Sequence, residues 1–69
     1  MFYKNLRRIR EAAGISRVEL AAGAGISESL LKFYELGYRV PRVVHVIALS
    51  NILNVTTDEL LKDTVTPAV

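Results

Sequence analysis

Three glycines and a proline cut this chain into pieces too short for anything but small helices or strands. Gly14, Gly25 and Gly37 stand eleven and twelve residues apart, and Pro41 follows closely. The stretches between them carry apolar residues at a spacing near 3.6 rather than in strict alternation, which predicts helices. Phe2, Leu6, Ile9 and Ala13 recur at that spacing along a first helix, Tyr3 to Ala13, with Gly14 in the place of a left-handed cap.

The helix starts are marked as clearly as the ends. Ser16 and Glu19 form the Ser-x-x-Glu pattern of a capping box, in which each side chain satisfies a backbone amide that the helix start leaves free. Val18, Leu20 and Ala21 supply the apolar side of this second helix, which ends near Gly23, Ala24 and Gly25. Ser27 is the next N-cap, followed by Leu30, Leu31 and Tyr34, with Gly37 closing the third helix. Beyond Pro41, Val43 to Leu53 is a long apolar run whose length favours a helix despite its β-branched residues. Asn54 marks its end weakly. Thr56 and Glu59 repeat the capping box ahead of Leu60 and Leu61. The expected organisation is all-α: one five-helix domain over residues 1–63 and a frayed tail over 64–69 that contains Pro67. About three residues around Gly25 separate the second and third helices, the tight connection of a helix-turn-helix.

Composition narrows the chemistry. The 69 residues include no cysteine and one histidine, so a disulfide, a thiolate nucleophile or a zinc site of Cys and His has no ligands to draw on. No serine–histidine–acid set, phosphate-binding loop or carboxylate cluster points to catalysis, and no cofactor or small-molecule substrate is implied. Gly23-Ala24-Gly25 lacks the preceding strand that a dinucleotide loop needs. Apolar stretches are interrupted well before the ~20 residues that cross a bilayer, and no secretory signal is visible, so the expected setting is the cytoplasm. Apolar residues make up 51% of the chain, more than so small a core uses, which points to a partner surface. Net charge is +2, and the cations cluster: Lys4, Arg7, Arg8, Arg10 and Arg17 early, Arg39 and Arg42 around Pro41. That permits nucleic acid without requiring it.

A set of short motifs runs from Leu6 to Leu61: Leu6-x-x-Ile9-Arg10, Gly14-Ile15-Ser16, Glu19-Leu20-Ala21, Gly25-Ile26-Ser27, Tyr34-Glu35-x-Gly37, Pro41, and Leu53-Asn54-Val55-Thr56-Thr57-Asp58-Glu59-Leu60-Leu61. In this order and spacing the chain resembles the phage repressor and Cro-like, or XRE, family of helix-turn-helix proteins. The resemblance implies a compact five-helix bundle of the lambda-repressor type. It implies a third helix that enters the major groove of double-stranded DNA and a second that lies across the backbone, with two-fold half-sites bound by a homodimer.

The resemblance also assigns roles. Arg10 and Glu35 are expected to pair as an internal brace between helices; the plainer alternative is two surface charges that never meet. Glu28, Ser29, Lys32 and Phe33 form the outward face of the third helix if Leu31 and Tyr34 face the core. Ser29 and Lys32 suit base or phosphate acceptors, Glu28 a cytosine amine, and Phe33 a thymine methyl. This face departs from family habit, which favours Gln, Arg, Ser, Thr and Asn there, and Glu28 is repelled by phosphates unless a base satisfies it. A protein-binding face is the competing reading. Arg17, Ser27, Arg39 and Arg42 are phosphate candidates, Arg17 because a helix N-terminus and a guanidinium can share one phosphate; solvated surface charge is the alternative. Lys4, Arg7 and Arg8 read as a solvated face, and His45 as a surface or interface residue without ligand partners. Val44, Val55, Leu60 and the tail apolars are dimer candidates. Val44 and Ala48 stand where related chains place polar residues.

Overall fold

The computed structural model describes residues 1–62. Five helices follow in order: α1 (Phe2–Ala12), α2 (Arg17–Ala24), α3 (Glu28–Leu36), α4 (Val43–Leu53) and α5 (Thr57–Leu61). No strand occurs among the described residues, and no helix there is long and apolar enough to cross a membrane. Asp63 and the expected tail over 64–69 lie outside the described residues.

Local chemistry sets these boundaries. The Ser16 hydroxyl accepts the Glu19 amide at 3.1 Å, and the Glu19 carboxylate accepts the Ser16 amide at 3.1 Å. Thr56 and Glu59 repeat the arrangement at α5, and Ser27 caps α3 by accepting the Leu30 amide at 3.0 Å. At the other ends, Gly25 and Gly37 adopt positive φ, which lets the backbone close on the last carbonyls. Asn54 takes the same left-handed conformation at φ 57°, the one non-glycine to do so among the described residues. Asparagine tolerates that region better than other side chains.

The core is one cluster of Leu6, Leu20, Ala21, Leu31, Tyr34, Val46, Leu49, Leu53 and Leu60. It joins α1 to α3 and α5, α2 to α3 and α4, and α4 to α5. Asn5 is buried with it, and its amide donates to the carbonyls of Leu60, at 3.0 Å, and Lys62. This fixes the chain's last described turn to its first helix.

Three sequence expectations about burial, at Leu60, Ala13 and Val18, are corrected. Leu60 is fully buried and packs in the core, so it has no surface for a dimer. Ala13 lies on the exposed side of the α1 terminus. Val18 is exposed, while Leu20, Ala21 and the half-buried Ala24 turn inward from α2. In α4 the core stripe is Val46, Leu49 and Leu53, which leaves Val43 and Ile47 on the solvent side.

Candidate nucleic-acid interface

The α2–α3 pair is held at its base by a charge cluster. Glu35 lies on the last turn of α3 with its side chain 0% exposed, a costly position for a carboxylate without partners. Arg10 supplies two contacts: Nε donates to Oε2 at 2.5 Å and a terminal nitrogen to Oε1 at 3.2 Å. Its other terminal nitrogen donates to the Ile15 carbonyl at 2.9 Å, tying α1 to the turn ahead of α2. The hydrogen bond to Glu35 raises the Arg10 pKa above its ordinary value despite partial desolvation. A third member joins them. Arg17, the first residue of α2, donates from Nε to Glu35 Oε1 at 3.0 Å. One carboxylate thus gathers α1, α2 and α3, where the family resemblance implied a two-residue brace.

Around this brace the outward face of α3 is open. Glu28, Ser29, Lys32, Phe33 and Leu36 are all exposed, while Leu31, Tyr34 and Glu35 face inward. Phe33 lies at a tilt against Tyr38, ring centroids 6.1 Å apart. Ser27 spends its acceptor capacity on the α3 cap. Arg39 and Arg42 lie in the α3–α4 connection, exposed and without an ion pair among the described residues. Lys4, Arg7 and Arg8 are exposed on α1, where Arg7 pairs with Glu11 at 3.3 Å and Lys4 sits over the Tyr3 ring.

His45 is better connected than the sequence implied. Its Nδ1 lies 2.6 Å from the buried Tyr34 hydroxyl, a hydrogen bond that joins α4 to α3. Among the described residues no group of His, Asp and Glu is arranged to hold a metal.

A second surface lies on α4 and α5. Phe2, Val40, Pro41, Val43, Val46, Ile47, Thr57 and Leu61 line an apolar groove of about 440 Å³. Val40 is 90% exposed and Val43 73% exposed. Of the residues expected in a dimer contact, Val44 is exposed beside this groove, and Val55 is half-buried against the core.

The geometry is that of a helix pair joined by three residues, with the second helix presented outward. A family model described as helix-turn-helix matches residues 6–60. The chain belongs to the XRE-type helix-turn-helix family. An uncharacterised HTH-type transcriptional regulator of Bacillus subtilis, YqaE, is 39% identical over 62 residues, covering 90% of this chain and 53% of YqaE. The restriction-modification controller protein C.AhdI of Aeromonas hydrophila superposes with a TM-score of 0.84 at 32% identity, covering 87% of this chain and 91% of that one. The N-terminal DNA-binding domain of the Bacillus subtilis biofilm regulator SinR superposes with a TM-score of 0.78 at 28% identity, covering 93% and 94%. The chain spans about half the length of the curated relatives it matches. The curated relatives are named as HTH-type transcriptional regulators.

Proposed function

We propose that this helix-turn-helix domain binds double-stranded DNA sequence-specifically as a repressor-like transcriptional regulator, working in the cytoplasm where that DNA lies. The observation that carries this reading is the outward face of α3, exposed on a helix whose inner side is locked by Glu35 and Tyr34. A rigid helix presenting short side chains at its N-terminal end suits the major groove, which admits one helix. Ser29 and Lys32 read base edges there, Glu28 accepts from a cytosine amine, and Phe33 meets a thymine methyl. Arg17, Arg39 and Arg42 neutralise phosphates, and Ser27 adds its hydroxyl as a donor. The relatives support it: YqaE is named as a transcriptional regulator, and the superposed part of SinR is its DNA-binding domain.

A homodimer completes the reading. Val40, Val43, Val44, Ile47 and Leu61, all exposed, form its contact. The same apolar exposure, extended to Phe33 and Leu36, favours a second reading, a protein-interaction module on the same fold.

Duplex affinity measured across a salt series separates the two. For the regulator, binding weakens steeply with salt, and Arg39→Ala and Arg42→Ala each lower the log–log slope by about 0.9. Identical slopes in the parent and both variants would count against phosphate contact by this segment. Absence of duplex binding at low salt would leave the interaction module.

A further inference from the structure

Glu35 carries more than a structural pair requires. Arg10 is its close partner, with only 11% of that side chain exposed, and its geometry satisfies both carboxylate oxygens. Arg17 nevertheless reaches the same carboxylate, using Nε alone. Its side chain remains 32% exposed, and its two terminal nitrogens have no hydrogen-bond partner among the described residues. A guanidinium has five N–H donors in a fixed plane. Anchoring the Nε–H therefore fixes the direction in which the other four point.

We infer that Glu35 is a positioning residue for DNA binding, which holds Arg17 by one edge so that the opposite edge meets a backbone phosphate. This rests on the proposal that the domain binds duplex DNA. Glu11 also meets Arg10, at 3.9 Å, and Arg7, at 3.3 Å, so the network of Arg7, Arg10 and Arg17 with Glu11 and Glu35 leaves one positive charge over. Of the two arginines on Glu35, Arg17 is the more exposed. Anchoring also removes rotamer freedom before binding, which lowers the ordering cost at the interface. A lysine at position 17 has one ammonium and cannot serve the carboxylate and a phosphate in the same two-edged way.

The test uses the purified chain and a mixed-sequence duplex, with affinity read across a salt series. Arg17→Ala is expected to weaken binding several-fold and to lower the salt slope by about 0.9. Arg17→Lys is expected to resemble Arg17→Ala rather than the parent, although it keeps the charge. Glu35→Gln is expected to weaken binding when Arg17 is present and to add nothing in the Arg17→Ala background. Parent-like binding by Arg17→Lys would overturn the inference, because charge alone would then suffice. So would equal loss from Glu35→Gln in both backgrounds, which marks a purely structural role, or tighter binding, which marks Glu35 as a competitor of phosphate. Where Glu35→Gln fails to fold, Arg17→Lys decides. A parent that does not bind the duplex overturns the DNA-binding reading itself, and the inference with it.

Discussion

Glu35 is the residue on which the helix-turn-helix depends most. Its carboxylate is buried, and among the described residues Arg10 and Arg17 are its ion-pair partners. Glu35→Ala leaves the largely buried Arg10 with only the exposed Glu11 carboxylate, 3.9 Å away, as counter-charge, and removal of one partner of a buried pair typically costs about 3–5 kcal/mol. Replacing both members by apolar residues, Arg10→Met with Glu35→Leu, is expected to cost less than either single change; urea unfolding of the three variants checks this. A surface residue supplies a contrasting case. The Ser16 amide holds the Glu19 carboxylate below the ordinary glutamate pKa. A lowered folded pKa contributes stability that is present above the ordinary value and lost as pH falls through the lowered one. Parent and Glu19→Gln melting temperatures, measured as pH is lowered through the acid range, should therefore converge. A gap that persists at the lowest pH would contradict the assignment.

At the scale of the elements, ends were legible in the sequence and faces less so. Caps are local: Ser16, Ser27, Thr56, Glu19 and Glu59 act on amides three residues away, so a short stretch of sequence displays both partners. Glu35 and its arginines are separated by 25 and 18 residues. Family resemblance supplied Arg10, but nothing local connected Arg17 to the pair. Asn5 was invisible for the same reason, because the carbonyls it serves are 55 and 57 residues away. The inward face of α4 was not legible, because apolar residues surround much of the helix and periodicity cannot choose among several apolar stripes. Leu60 was misplaced because a short helix gives its neighbours little room to reveal which side docks. The glycines offer a test at this scale. Gly14 and Gly37 both have positive φ, but a β-carbon at Gly37 would lie 3.2 Å from the Tyr3 ring, whereas one at Gly14 meets nothing within 4 Å. Alanine at either position is expected to destabilise by about 1 kcal/mol from backbone strain. The loss should be larger at Gly37, as thermal melts of the two variants would show.

For the whole molecule, the proposed function assigns the outward face of α3 to DNA and the apolar groove on α4 and α5 to a second copy. Two-fold dimers of such domains place their recognition helices about 34 Å apart, one turn of DNA, so assembly and half-site spacing are linked. Val43 is exposed at the first turn of α4, where a carboxylate is compatible with the helix dipole. Val43→Glu is therefore expected to fold yet sediment as a monomer at concentrations where the parent is a dimer. Unchanged sedimentation would place the contact elsewhere. In the proposed function the outward face of α3 reads base sequence. Selection from a random duplex pool with the purified domain tests it most directly, repeated with Lys32→Ala. Enrichment of a two-fold symmetric sequence is expected, with preference relaxed by Lys32→Ala at one position in each half-site. A pool recovered without bias by the parent would contradict sequence-specific recognition.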